Sequence, residues 1–194
     1  MTAPAASSDT GPEPGPGPQP EPDKGISGWF WGPLSSLGAR VAIATLVLDQ
    51  ANKLWMLLIY RIQDQGRVSV TPFLDLVYVR NTGVSYSMFD SSSYSWQLGL
   101  AAFAAVASLA LWIWICRSGQ NRLLVWGLAL IIGGAFGNAI DRLWLGGVAD
   151  FYSLHAYGYY WYVFNIADVA IVAGVAALLY DSFIASRNEA AKPS

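Results

Sequence analysis

The stretch Leu123-Leu-Val-Trp-Gly-Leu-Ala-Leu-Ile-Ile-Gly-Gly-Ala-Phe-Gly-Asn-Ala-Ile140 contains no charged residue. A helix needs roughly 20 apolar residues to cross a hydrocarbon core about 30 Å thick, so this run predicts a membrane span. Gly133 and Gly137 are four residues apart, a spacing that lets a second helix approach closely. Asn138 and the following Asp141 share one helical face with Gly134. The span therefore carries polar side chains on a face that packs against other helices.

Three further apolar runs have a similar length, at about 37–60, 96–116 and 160–184. Hydrophobic residues make up 54% of the chain and charged residues 12%, far from the balance of a soluble domain. At 194 residues the chain has room for one compact bundle. We therefore expect an all-α membrane bundle of four transmembrane helices.

Composition excludes several function classes. The formal net charge of −2 provides no basic surface for nucleic acid. The single cysteine, Cys116, has no partner for a disulfide framework or a cysteine-based metal site. The single histidine, His155, argues against a histidine-rich metal site or a serine triad, and we place it in an interfacial loop. We expect neither a metal site nor nucleic-acid binding.

The ends of the chain differ from the apolar middle. Residues 1–25 are rich in Pro, Gly and Ser without apolar periodicity, which predicts a disordered tail. This tail lacks the features of a cleavable signal peptide, so we expect it to be retained. Residues 26–33 carry Trp and Phe around glycine, as an aromatic membrane anchor does. We assign 26–186 to the transmembrane domain and 187–194 to a second tail.

Positive charge predicts the orientation of the bundle. Excess Lys and Arg marks the cytoplasmic side of a membrane protein, so both termini are expected there. The segments 61–94 and 143–159 then lie outside the cytoplasm. Residues 67–71 and 73–80 partly alternate between polar and apolar, which predicts a small β element at the outer surface. The basic residues assigned to the cytoplasmic side are Lys24, Arg40, Arg117, Arg122, Arg187 and Lys192.

Two carboxylates lie near the outer edge of the predicted bundle. Asp150 is expected in a loop and Asp168 just inside the fourth helix. An ionisable residue at such a place indicates a functional site. Two neighbouring aspartates can share one proton and activate a water, as in an aspartic peptidase. Asn138 and Asn165 lie on faces that can meet and orient these carboxylates, although Asn165 alone is also explained as a helix cap.

The first predicted span contains an acidic residue with a basic residue one helical turn further along. Asp49 and Lys53 are an i, i+4 pair with the acid on the N-terminal side, the favourable order. One interpretation is a mutually neutralising pair that lets the helix insert. The other is that Lys53 reaches outward to a lipid phosphate or a substrate carbonyl. Both interpretations require the pair to face the bundle interior.

Several motifs in register with the four spans resemble the lipoprotein signal peptidase family, signal peptidase II. With an Asp-x-x-x-Lys in the first span, the likeness covers about 37–184. Tyr86 departs from the pattern, because Phe or Trp is frequent there. The motifs are Asn81-Thr-Gly-Val-Ser-Tyr-Ser87, Gly133-Gly-Ala-Phe-Gly-Asn-Ala-Ile-Asp-Arg142, Gly147-Val-Ala-Asp150-Phe and Phe164-Asn-Ile-Ala-Asp168.

The resemblance implies a bacterial inner-membrane aspartic peptidase without a cofactor. Such an enzyme removes the signal peptide from diacylglyceryl-modified prolipoproteins, cutting before the lipidated cysteine. Its partners are these precursors and membrane lipids, and we expect a monomer. By motif position the catalytic pair falls on Asp150 and Asp168. The supporting or substrate-binding positions are Asp49, Lys53, Asn81, Gly83, Asn138, Asp141, Arg142 and Asn165.

Two other classes of membrane protein compete with a peptidase. Intramembrane acidic and basic residues also build ion or proton pathways, as in a small transporter or proton-pathway subunit. The chain shows no internal repeat, however, and both candidate acids lie near one membrane face. A structural scaffold subunit leaves Asp150 and Asp168 unexplained.

Overall fold

The computed structural model describes residues 30–83, 93–118 and 121–190. The predicted N-terminal tail lies outside these ranges, as do Tyr86 and the first half of the predicted aromatic anchor, residues 26–29. The statements below concern the described residues.

Long helices dominate the described structure. Helix α1, Ser35–Leu54, continues into a π-helical turn, Trp55–Ile59. It is followed by α2, Tyr94–Arg117, then α3, Arg122–Leu145, and α4, Ile166–Ala190. Each of these four is long and apolar enough to cross a membrane, which confirms the predicted spans. Helix α4 continues past the predicted domain boundary at 186.

A four-stranded antiparallel sheet joins the helices at one end of the bundle. Its order is β1, Val68–Thr71, then β2, Leu74–Asn81, β3, Val148–Ala156, and β4, Tyr159–Phe164. The first two strands confirm the β element predicted within 61–94. Since β2 pairs with β3, two segments far apart in the chain form one sheet.

The β3–β4 hairpin corrects three expectations. Asp150 and His155 were expected in loops and Tyr160 at the start of a helix, but all three residues lie in strands. Tyr157 and Gly158 have φ angles of 52° and 83°, the left-handed pair that a two-residue hairpin turn requires. The flanking aromatic residues favour strands. Asp150 and His155 therefore lie in β3, and His155 Nε2 is 3.2 Å from Asp75 Oδ1.

Helix α3 occupies the centre of the bundle and contacts each of the other three helices. Its glycines permit this close packing. A Cβ at Gly133 would lie 2.6 Å from the Ala42 carbonyl oxygen of α1, and one at Gly134 would lie 2.6 Å from the Ala167 carbonyl oxygen of α4. A side chain at either position would clash with the neighbouring backbone, so glycine at both positions allows the helices to pack closely.

A small apolar core fixes the sheet to the bundle. Phe151 and Ala149 of β3 are fully buried against Met56 and Leu57, at the end of the first span, and against Ile62. Asn52 Nδ2 also donates to the Tyr152 hydroxyl at 2.8 Å. Burial of such apolar side chains stabilises by about 1.5–3 kcal/mol each. The position of β3, and of Asp150 on it, is therefore set by its packing on α1.

The glycine packing between α3 and α4 generates the first prediction. A Cβ at Gly127 would lie 2.9 Å from the Gly174 carbonyl oxygen and 3.0 Å from Leu178 Cδ2. We expect Gly127→Ala to lower the free energy of unfolding by about 1–3 kcal/mol, because overpacking displaces the backbone. Thermal unfolding in detergent measures the change. Gly99→Ala is the control, because no atom of the described residues lies within 4 Å of its added Cβ. Equal melting temperatures for the two variants would contradict the packing described here.

Candidate active site

Asn165 donates hydrogen bonds to the carboxylates of both Asp150 and Asp168. The Asn165 side-chain Nδ2 donates to Asp150 Oδ1 at 2.6 Å, and its backbone N donates to Asp168 Oδ2 at 3.1 Å. Asp150 comes from β3 and Asp168 from the first turn of α4. One residue thus binds a carboxylate from each element and brings the two together.

Two further asparagines hold the remaining carboxylate oxygens. Asn138 Nδ2 on α3 donates to Asp168 Oδ1 at 3.0 Å, and Asn81 Nδ2 on β2 donates to Asp150 Oδ2 at 3.3 Å. The Asn81 side chain is itself held, since its Oδ1 accepts from the backbone N of Gly83 at 3.2 Å. Every oxygen of the two carboxylates therefore has an amide donor, and their orientations are fixed.

Asn165 and Asp168 also form a reciprocal helix cap. Asn165 Oδ1 accepts from the Asp168 backbone N at 3.0 Å, while Asp168 Oδ2 accepts from the Asn165 backbone N. This is the geometry of a capping box. Capping therefore involves Asp168 as well as Asn165. A carboxylate in the first turn is favoured in its ionised form by the helix dipole.

The two carboxylates have different electrostatic environments. Asp150 is 2% exposed, and burial together with the negative charge of Asp168 raises the pKa of Asp150 to about 7. Hydrogen bonds from Asn165 and Asn81 oppose this rise. Asp150 therefore keeps a proton more readily than an ordinary carboxyl group, and Asp168 lies at the N-terminus of α4, where the helix dipole complements negative charge. A protonated and an ionised carboxyl group side by side can act as acid and base.

Lys53 is 1% exposed and lies close to this pair, in contact with Asn138. Its Nζ is 2.7 Å from Asp49 Oδ2 and 2.8 Å from Asp141 Oδ2. The three charged groups face the bundle interior, as both sequence interpretations required. The contacts agree with a neutralising role and not with a lysine that reaches outward.

Arg142 follows Asp141 in the chain but makes no ion pair with it at hydrogen-bond distance among the described contacts. Asp141 Oδ2 is bound by Lys53 Nζ at 2.8 Å. Arg142 Nη1 instead donates to the Asn138 carbonyl oxygen at 3.1 Å. Its Nε is buried with no hydrogen-bond partner among the described residues. Arg142 is also close enough to interact electrostatically with Asp168, Asp141 and Asp150.

An apolar groove of about 490 Å³ opens beside Asp168. The sequence alone did not reveal this groove, because its two walls come from different elements. Aromatic residues of β4 contribute one wall, and small residues of α4 contribute the other. The lining residues besides Asp168 are Leu154, Trp161, Tyr162, Phe164, Val169, Val172, Ala173 and Ala176.

Gln50 contacts both buried acids, Asp49 and Asp141, and was not among the residues selected from the sequence. Its Nε2 lies 3.2 Å from both Asp49 Oδ2 and Asp141 Oδ1, and 3.1 Å from the Gly137 carbonyl oxygen. A polar residue next to Asp49 in an apolar span was the available signal. Over the described ranges, no three His, Cys, Asp or Glu side chains form a group suited to a metal ion.

Fold and site together define a four-helix membrane protein with two amide-bound carboxylates where the helices meet a small sheet. A family model described as Signal peptidase (SPase) II matches residues 41–184. The chain belongs to the signal peptidase II family. Members of this family are proteases that remove signal peptides from prolipoproteins.

Named relatives and a solved structure agree with this family. A lipoprotein signal peptidase of Rhodopseudomonas palustris (strain ATCC BAA-98 / CGA009) is 56% identical over 152 residues, covering 76% of this chain and 92% of that protein. One from Nitrobacter hamburgensis is 54% identical over 164 residues, covering 82% and 98%. A solved bacterial membrane enzyme matches with a TM-score of 0.68 and 25% identity, over 82% of this chain and 94% of that one.

The raised pKa of Asp150 generates the second prediction. The folded protein keeps this proton up to about pH 7, whereas a carboxyl with the ordinary pKa of 3.8 has already lost it. The stability that Asp150 contributes is thus present below about pH 4 and is lost as pH rises toward 7. Asp150→Asn removes this loss. Its melting temperature should therefore exceed that of the wild type by more at about pH 8 than at about pH 4.5.

The control for this measurement is Asp64→Asn, which removes an exposed carboxylate from a surface pair with Arg61. Exposed pairs contribute little, so this variant should melt close to the wild type at both pH values. A melting-temperature difference for Asp150→Asn that is the same at both pH values would contradict the raised pKa.

Proposed function

We propose that this chain is an aspartic endopeptidase that acts on diacylglyceryl-modified prolipoproteins and cuts before the lipidated cysteine. The observation that carries the proposal is the Asp150–Asp168 pair, whose four oxygens are each held by an amide donor. Family membership supplies the reaction, removal of a signal peptide. The pair supplies the acid and the base that this hydrolysis requires.

The proposed mechanism assigns different tasks to the two aspartates. Ionised Asp168 removes a proton from a water, and protonated Asp150 transfers its proton to the scissile carbonyl oxygen as that oxygen becomes a hydroxyl. The water oxygen bonds to the carbonyl carbon and forms a tetrahedral diol. Asp168 then passes its proton to the amine nitrogen as the C–N bond breaks, and Asp150 recovers its own proton. The two carboxyl groups complete the proton balance without a cofactor.

The apolar groove supports a lipid-anchored substrate. It adjoins Asp168 and is otherwise lined by apolar and aromatic side chains of β3, β4 and α4. Apolar parts of a precursor bound there would contribute binding energy remote from the bond being cut, which positions that bond. We therefore propose prolipoproteins and membrane lipids as the partners of a monomeric enzyme.

The distribution of charge supports an orientation in the bacterial inner membrane. Arg40 lies near the start of α1 and Arg187 near the end of α4, while Arg117 is the last residue of α2 and Arg122 the first residue of α3. In an antiparallel bundle these residues share the end opposite the sheet, and excess positive charge marks the cytoplasmic end. The proposed arrangement has both tails, 1–25 and 187–194, in the cytoplasm and the site near the extracytoplasmic face.

The third prediction tests the pair directly. Asp150→Asn and Asp168→Asn keep the size of the side chain and an oxygen acceptor but cannot exchange a proton at neutral pH. Each should lower the rate of cleavage by at least about 10²–10⁴-fold, the usual contribution of an acid or base. The measurement is cleavage of a lipidated prolipoprotein by purified enzyme. Asp64→Asn should cleave normally, and wild-type turnover by either pair variant would remove the aspartic assignment.

The fourth prediction concerns the lipid on the substrate. An unlipidated precursor of the same peptide sequence lacks the remote binding energy and should lose both rate and affinity. Both precursors are assayed side by side in matched detergent, with and without a chelator. Equal cleavage of the two would leave a general membrane peptidase. Loss of activity with the chelator would contradict a mechanism that rests on two carboxylates.

A further inference from the structure

Two buried carboxylates outside the proposed catalytic pair make equivalent backbone contacts. Asp49 Oδ1 on α1 accepts from the Ala167 backbone N at 2.9 Å, and Asp141 Oδ2 on α3 accepts from the Ala149 backbone N at 3.1 Å. Ala167 immediately precedes Asp168, and Ala149 immediately precedes Asp150. Each member of the pair is thus attached through its preceding amide to a separate buried carboxylate.

One ammonium group joins these two attachments. Lys53 Nζ binds Asp49 Oδ2 and Asp141 Oδ2, and it donates a third hydrogen bond to Asn138 Oδ1 at 3.1 Å. All three donors of the ammonium are therefore used. Asn165 Nδ2 also donates to Asn138 Oδ1, at 3.2 Å. With its oxygen surrounded by donors, the Asn138 amide must turn its nitrogen toward Asp168.

We propose that Lys53 is a positioning residue for cleavage, which sets the placement of Asp150 and Asp168 through three separate contacts. It acts through Asp49 on the start of α4, through Asp141 on β3, and through Asn138 on the carboxylate of Asp168 itself. The proposal rests on the proposed function, because it concerns the same pair of aspartates.

The surroundings of Lys53 suit a rigid support. Asp49 and Asp141 are 0% and 1% exposed, so their charges are shielded from solvent and paired at short distances. Removing one partner of such a group leaves an uncompensated buried charge, which resists displacement. Gly137 makes room for the support, because a Cβ at this position would overlap Asp49 Oδ2.

A cluster that served only to join α1 and α3 would not need these outward contacts. The contacts to Ala149, Ala167 and Asn138 all end at residues adjacent to or bonded to the reactive pair. The positive charge of Lys53 also lowers the pKa of Asp150, opposing the effect of burial. A positioning role and a purely structural role therefore predict different pH profiles for a variant without this charge.

The main test is Lys53→Met in the full-length enzyme, assayed with a lipidated prolipoprotein. We expect kcat to fall about 100-fold, because small misplacements of reacting groups have effects of that size. KM should stay within about twofold, since the substrate contacts remain. The high-pH limb of the kcat profile should move to higher pH, because loss of the cation makes Asp150 hold its proton longer.

A second variant displaces the Asp49 carboxylate without removing a charge. Gly137→Ala forces the Asp49 carboxylate to move, which weakens its contact to Ala167, so kcat should fall at least about tenfold for misplaced reacting groups. Gly127→Ala is the matched control, because it introduces a clash between α3 and α4 that involves Gly174 and Leu178. It should lower stability but leave the kcat of the folded enzyme unchanged. Gly99→Ala controls for an added methyl group in open space.

The outcomes are decisive in each case. A kcat for Lys53→Met within about twofold of the wild type would overturn the proposal, as would a loss of kcat with an unmoved pH limb. If Lys53→Met does not accumulate in membranes, Gly137→Ala decides, and a kcat equal to that of Gly127→Ala overturns the proposal. Failure of the proposed function shows separately, as a wild type that does not cleave or as an active Asp150→Asn variant.

Discussion

Charge buried between membrane helices must be paired, hydrogen-bonded or neutralised by a proton, and all three solutions occur within a few residues of the reactive pair. Lys53 takes the first solution with Asp49 and Asp141. Asp168 takes the second, with donors at both oxygens. Asp150 takes the third, because burial next to another carboxylate raises its pKa to about 7. The acid–base difference within the pair follows from this constraint.

Much of the fold follows from the sequence, because bilayer thickness prescribes a length for each span and hydropathy reveals it. The alternation of polar and apolar residues also predicted β1 and β2 from the sequence. The β3–β4 hairpin could not be predicted in this way, since Tyr157 adopts a left-handed conformation that is uncommon for a residue other than glycine. The aromatic run around it suits a strand and a membrane interface equally well, so only pairing of β3 with β2 decides between them.

The residues of the candidate site could be predicted from the sequence to a similar extent. Helical spacing places Asn138 and Asp141 on one face of α3, and motif position selects Asp150 and Asp168. The partners of these residues depend on contacts between segments that are distant in sequence. Lys53 and Asp141 are an example, because nothing in the local pattern around Asp141 favours Lys53 over the adjacent Arg142. The groove beside Asp168 also required the hairpin, which supplies one of its walls.

The reciprocal cap at the start of α4 couples helix structure to the reaction. Asp168 Oδ2 accepts the Asn165 backbone N–H, and the proposed mechanism has the same carboxylate take a proton from water. A protonated carboxyl group is a weaker acceptor and no longer complements the helix dipole. Under the proposed mechanism, the first turn of α4 would be held most firmly before water attack and after product leaves, and least firmly while the tetrahedral species exists. The wall of the groove that α4 provides would loosen and tighten once in every catalytic cycle.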